Sequence, residues 1–154
     1  MAKWYAGAII FREEDGVRKY LVIDTRSTNP RYAMHPFQTK FIGGTEEFHE
    51  DEDKTVLDTL RRELAEETDM EIRPATSQMM IHTHSIPGHF KNFYEVPWSD
   101  LVRELRTVDK TVEGDWMSAP YWVTFEEAKR RLYGTHQPAL LKSEDRYQAK
   151  FRAA

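Results

Sequence analysis

Cysteine is missing from this chain altogether. That absence excludes disulfides, thiolate zinc centres and a cysteine nucleophile, and it fits a reducing cytosol. Long apolar runs are missing too. The apolar stretch that opens at Trp4 and ends at Phe11 is too short, and wrongly flanked, for a secretory signal or a membrane span. A soluble, cytoplasmic protein is expected. Glycine and proline are sparse at seven each, and there is no repeat, low-complexity tract or interdomain linker. With 154 residues, 40% hydrophobic and 12% aromatic, a single domain spanning 1–154 with a real core is expected. A large excess of either charge is absent as well. The net charge of -4 argues against a general nucleic-acid coat or a membrane-surface binder.

What is present is a local imbalance. Between Gly43 and Glu71 stand twelve of the 26 acidic residues but only three of the 22 basic ones, Lys54, Arg61 and Arg62. The rest of the chain is therefore basic on balance. Such a block would hold cations while the remainder attracts an anionic substrate, although an incidental acidic loop has the same composition.

The element pattern is mixed. Trp4–Phe11 and Lys19–Thr25 read as a β-hairpin around Glu13-Glu14-Asp15-Gly16. Ser27–Gln38, with Asn29-Pro30 and His35-Pro36, reads as a loop, and Thr39–Ile42 as a short strand ending at Gly43-Gly44. The acidic Thr45–Asp53 segment is expected to be an exposed loop. From Thr55 to Thr68, Leu57, Leu60 and Leu64 form an i, i+3, i+7 stripe that predicts a helix capped by Thr55 or Asp53. Gln78–Ile86 and Phe90–Trp98 predict a second hairpin, and Ser99–Thr107 a short helix or a turn. Met117–Val123 predicts a strand. Thr124-Phe125-Glu126-Glu127 is a capping box that opens a helix to about Leu132. Further helical character surrounds Leu140-Leu141, before a polar end.

The helix from Thr55 carries Arg62-Glu63-Leu64-Ala65-Glu66-Glu67. Glu63, Glu66 and Glu67 stand at i, i+3 and i+4, so they emerge as neighbours on one face. Like charges so placed cost roughly 0.2–0.5 kcal/mol per pair, unless something neutralises them. A hard divalent cation preferring oxygen ligands, Mg²⁺ or Mn²⁺, would do so; a solvated acidic face is the plainer alternative. Leu64 lies on the buried stripe, which sets the glutamates at its rim.

Gly43-Gly44, then Glu46, Glu47 and Glu50, then this helix, resemble the box of the Nudix hydrolases, G-x5-E-x7-R-E-U-x-E-E-x-G-U with U aliphatic. Gly44 and Glu50 keep the five-residue gap, and Arg62 to Glu67 match without exception. Two departures follow. Eleven residues separate Glu50 from Arg62, so Glu50, Glu52 or Asp53 would take the first acidic position. Asp69 replaces the late glycine, a helix-end position whose left-handed backbone Asp tolerates better than most residues. Two strands before the box, two after it and the late Trp122-Val123-Thr124-Phe125-Glu126-Glu127-Ala128 segment also look like the family.

The resemblance implies an α/β fold, the Nudix α/β/α sandwich with a mixed sheet. It implies metal-dependent hydrolysis of a pyrophosphate bond in a nucleoside diphosphate linked to another moiety: a nucleoside triphosphate, dinucleoside polyphosphate, nucleotide sugar or RNA 5' end. Mg²⁺ or Mn²⁺ would be the cofactor. Glu63, Glu66 and Glu67 would hold it with the carbonyl of Gly44, Glu63 or Glu66 would serve the chemistry, and Arg62 would orient a glutamate. Gly43, Gly44 and Glu50 would meet the substrate. The partner would be a nucleotide-type small molecule, and a homodimer is compatible. A catalytically inactive Nudix-fold module that binds a nucleotide for regulation is the alternative, and a mere cation store is a weaker one.

Other residues carry two readings each. His82 and His84 share a strand face beside His89 and are metal-ligand candidates or ordinary surface histidines. Glu113 and Asp115 are candidates for an additional base or ligand. Tyr94, Trp98, Trp116 and Trp122 would stack on a base or fill the core. Arg26, Arg31 and Lys40 would contact phosphates or simply stand exposed.

Overall fold

The computed structural model describes residues 3–30, 33–34, 36–45, 55–72, 79–102, 104–112 and 114–152. The predicted first hairpin is present and longer than its apolar core: β1 (Lys3–Glu14) pairs antiparallel with β2 (Val17–Arg26). Asp15 and Gly16 take positive φ between them, as a tight hairpin turn requires. Past their paired ends β1 and β2 diverge, and two short strands fill the fork. β3 (Phe37–Lys40) pairs with β2, while β4 (Ile42–Thr45) pairs with β1.

Gly43 and Gly44 therefore lie inside a strand, opposite Gly7 and Ala6, and not just past the end of one, where the sequence pattern sets them. Neither has positive φ; what glycine supplies here is the missing Cβ.

After β5 (Glu71–Ile72), β6 (Met79–Ile86) and β7 (His89–Pro97) form the predicted second hairpin across Pro87-Gly88. β7 runs parallel to β1, which makes the sheet mixed. Ser99–Thr107 contains no α-helix among its described residues. Trp98–Asp100 form one 3₁₀ turn, and β8 (Leu101–Val102) then pairs with β5. The strand predicted at Met117–Val123 is two strands. β9 (Lys110–Val112) pairs with β10 (Asp115–Met117), and β11 (Tyr121–Thr124) resumes along β2 after a break that includes Pro120.

Strand alternation builds a core on each face of the sheet. Ala6, Ala8 and Ile10 of β1 join Leu21, Ile23 and Ile42 against Leu60 and Leu64 of α1 (Val56–Thr68). Tyr5 and Ile9 join Tyr20, Val22, Phe41 and Phe93 against α2 (Phe125–Arg131) and α3 (Gln137–Arg152). The result is three layers, α1, sheet, and α2 with α3. Leu60 and Leu64 are fully buried, each stabilising the packing of α1 by about 1.5–3 kcal/mol. α3 is a full helix to Arg152, longer than the sequence pattern around Leu140-Leu141 indicates.

Both capping boxes form. Thr55 caps α1 with Asp58, and Thr124 caps α2 with Glu127. At the other end of α1, Asp69 adopts φ 63°, ψ 20°, its N–H donating to the Ala65 carbonyl at 3.1 Å. This is the left-handed cap that a glycine would normally fill. Asp69→Val is accordingly expected to destabilise the fold by about 2 kcal/mol, because a β-branched residue is an outlier at that φ, whereas Asp69→Gly is neutral or stabilising. Thermal melts of both variants check the contrast.

Candidate active site

α1 packs on β4, and this contact assembles the site. The Glu67 side chain is 1% exposed; its Oε1 accepts the Gly43 N–H at 2.7 Å and its Oε2 lies 3.3 Å from Lys40 Nζ. Lys40 also donates to the Gly43 carbonyl at 2.9 Å. Glu63 lies one turn earlier with its carboxylate against Gly44, where a Cβ would overlap it. Arg62 spans the rim. Its NH1 donates to Glu63 Oε1 at 2.9 Å and meets Glu66 at 3.3 Å, and its NH2 donates to the Thr45 carbonyl at 2.9 Å.

Gly43 and Gly44 are thus tolerant to different degrees. A Cβ on Gly43 would strike the Ala6 carbonyl and the Tyr5 hydroxyl, while the nearest atoms to one on Gly44 are those of the Glu63 carboxylate, the far end of a flexible side chain. Gly43→Ala is expected to destabilise the protein by about 2 kcal/mol or more, since backbone cannot step aside. Gly44→Ala should cost less and instead push Glu63 out of place. Paired melting curves read the difference.

The electrostatics are those of crowded acids. Burial, then the neighbouring Glu67, push the Glu63 carboxyl up to about 8, against the pull of Lys40 and Arg62. Burial also raises Glu67, against Lys40 and the Gly43 N–H. For Lys40 burial works against the charge, yet the facing Glu67 more than restores it, so its pKa moves upward. Each glutamate thus raises the proton affinity of the other.

Lys40 and Gly44 line a cleft of about 240 Å³, together with Tyr5, Lys91, Asp115 and Tyr133 among others. His136 closes one wall. It is 2% exposed, and its Nδ1 accepts the Phe41 N–H at 3.2 Å, bracing the break between β3 and β4. Burial, with Lys40 and Lys91 nearby, holds its imidazole well below the ordinary range.

Of the sequence candidates, Arg62, Glu63, Glu66, Glu67, Gly43 and Gly44 come together. Glu50, Glu52, Asp53, Glu113 and Arg31 lie outside the described residues. Asp115 lines the cleft, with Oδ1 taken by the N–H and hydroxyl of Thr28 at 2.9 and 3.0 Å. Lys40 is a buried ion-pair partner, which corrects its reading as an exposed charge. His82 packs on Phe93 with ring centroids 6.2 Å apart, and burial, then His84, lower its pKa. Tyr94, Trp98 and Trp122 pack against the α1-side core, while Trp116 stacks with Phe37 at 6.0 Å.

Sequence reasoning missed Tyr5, His136, Lys91 and Arg106. Arg106 NH2 donates to the Glu67 carbonyl at 2.5 Å and to the Ser118 carbonyl at 3.0 Å, pinning the end of α1. Nothing in the local sequence marks these residues, because each acts on a distant segment. Among the described residues no group of three His, Asp or Glu side chains is set to hold a metal ion, since Glu67 turns inward to Lys40 while Glu66 turns out to Arg62.

A mixed sheet between α1 and the α2–α3 layer, with the glutamate helix docked on the glycine strand, is the architecture of the Nudix α/β/α sandwich, and comparison with solved structures bears this out: the chain has the Nudix fold. A MutT NUDIX hydrolase from Burkholderia pseudomallei superposes with a TM-score of 0.64 at 18% identity, covering 92% of this chain and 98% of that one. The NUDIX domain of Shewanella oneidensis NrtR, solved with ADP ribose, gives 0.63 at 18% identity over 94% of this chain and 87% of that one. The C. elegans Ap4A hydrolase, solved as a binary complex, gives 0.58 at 14% identity, with 97% and 99% covered. No protein-family model and no curated protein matches the sequence. Among the described residues no helix is long and apolar enough to cross a membrane.

Proposed function

We propose that this chain is a Nudix hydrolase, a metal-dependent pyrophosphohydrolase of nucleoside diphosphates linked to another group. One observation carries the reading: Glu63 and Glu67 are pressed against Gly44 and Gly43, and Gly44 lines a cleft together with Lys40 and Lys91. Carboxylates this crowded and buried, both with proton affinity raised by burial, fit a hard divalent cation. Glu63, Glu66 and Glu67 would hold Mg²⁺ or Mn²⁺, with the Gly44 carbonyl as a further ligand. The ion would withdraw negative charge from the phosphate oxygens and lower the pKa of a bound water.

The chain's own residues supply the rest. Glu63 is the candidate base, because it lies against Gly44 beside the cleft and a cation bound next to it would draw off its proton and leave the carboxylate. Arg62 holds Glu63 and Glu66 in register through its shared NH1. Lys40 and Lys91 favour an anionic substrate in the cleft. The first acidic position of the box, Glu50, Glu52 or Asp53, would add a contact from the loop before α1.

A nucleotide-binding module without catalysis is the second reading, favoured by the lack of three converging acids among the described residues. The two part in one experiment. Nucleoside triphosphates, dinucleoside polyphosphates, nucleotide sugars and 5'-triphosphorylated RNA are incubated with protein and Mg²⁺ or Mn²⁺, and products are identified by mass. A nucleotide and a phosphorylated partner are expected; binding without any product under either metal would favour the silent module.

A further inference from the structure

Lys40 already behaves as a bound cation. Its ammonium sits 2.9 Å from the Gly43 carbonyl and 3.3 Å from Glu67 Oε2, in a setting where its side chain is 17% exposed and that of Glu67 is 1% exposed. A carboxylate that deep is costly unless it is paired and hydrogen-bonded, and Lys40 with the Gly43 N–H meets both needs. Yet Glu67 is also a glutamate that the proposed function gives to a metal ion. A divalent ion and an ammonium drawn to the same carboxylate repel each other at contact distance.

The flexible four-carbon stem of lysine allows the ammonium to leave by side-chain rotation alone. Space for it exists, because Lys40 lines the same cleft as Gly44. We propose that Lys40 is the resident counter-ion of Glu67, that a divalent cation must displace it to bind, and that the displaced ammonium then faces the substrate phosphates in the cleft. Metal loading would in this way arm a lysine for substrate. The proposal rests on the reading of Glu67 as a metal ligand.

Calorimetric titration of the metal-free protein with Mn²⁺ tests it without any turnover. Lys40→Met is expected to bind Mn²⁺ about tenfold or more tightly than wild type, because the competing charge is gone. Lys91→Met removes another cleft ammonium, one that donates to Thr135 at 2.9 Å, and should change affinity by less than about twofold. Equal affinity in Lys40→Met and wild type would overturn the proposal. Equal tightening by both lysine variants would also overturn it, as general cleft charge would then suffice. A second measurement needs no variant: amine-specific labelling of wild type, mapped by peptide mass, should modify Lys40 faster with Mg²⁺ than without. Unchanged labelling refutes displacement. Glu67→Gln separates the two layers of the inference. If it binds Mn²⁺ like wild type, the metal-site reading itself fails; if it binds weakly while Lys40→Met gains nothing, only the counter-ion role fails.

Discussion

Glu66→Gln is expected to cut Mg²⁺-dependent turnover by about 10²–10³-fold in a protein that melts almost where wild type does. The stability half of that expectation follows from exposure. The Glu66 side chain is 45% exposed, and its ion-pair partner among the described residues, Arg62, is an i,i+4 neighbour at 3.3 Å. Such a pair contributes roughly 0.3–0.5 kcal/mol, which moves a melting point of a domain this size by only about 1–2 °C. The activity half follows from losing a full negative charge where a cation is to be held over the phosphates. Glu67→Gln should lose turnover as well, but for two reasons at once. Its carboxylate is buried opposite Lys40, and removing one partner of a buried pair costs about 3–5 kcal/mol. A melting point lower by on the order of 10 °C is expected for it. Nucleotide product measured by mass and thermal melts on both variants give the answer, and wild-type turnover in the two would sink the hydrolase assignment.

That contrast between adjacent glutamates was not legible in the sequence, although the glutamates themselves were. Spacing placed Glu63, Glu66 and Glu67 on one helix face, and local signals placed the helix. Leu60 and Leu64 recur at helical intervals, and Thr55 and Thr124 sit next to the groups they cap. Asp69 was legible for the same reason, since left-handed preference belongs to the residue. What escaped depends on partners far along the chain. Gly43 and Gly44 suggest the end of a strand until β1 is laid beside them and the absent Cβ becomes the point. Lys40 reads as a surface charge until α1 brings Glu67 to it. His136 and Arg106 look ordinary until their bonds to Phe41 and to the Glu67 carbonyl are seen. Met117–Val123 reads as one strand because apolar content alone does not show that the chain leaves β2 after Met117 and rejoins it at Tyr121.

Removing metal should make the stability of this protein depend on pH through Glu63. In the folded chain its carboxyl holds a proton up to about pH 8, whereas an unfolded glutamate releases it at about 4.3. Between those limits the folded state binds a proton that the unfolded state does not, so stability from this group is full below the lower pKa and declines as pH rises, to be lost above about 8. Every tenfold difference in proton affinity between the two states is worth about 1.4 kcal/mol, and sharing the proton with Glu67 reduces the total, so roughly 2–4 kcal/mol is at stake. Glu63→Gln cannot ionise. Without metal it should match wild type near pH 5 and melt increasingly above it towards pH 8.5. Mg²⁺ at pH 8.5 should restore the wild type, by supplying the missing positive charge, and do little for the variant. Groups that do not touch Glu63 act equally on both proteins, so the difference between their melting curves reads Glu63 together with its coupled partner Glu67. A difference that stays constant from pH 5 to pH 8.5 would show that the buried carboxylates are not waiting for a cation.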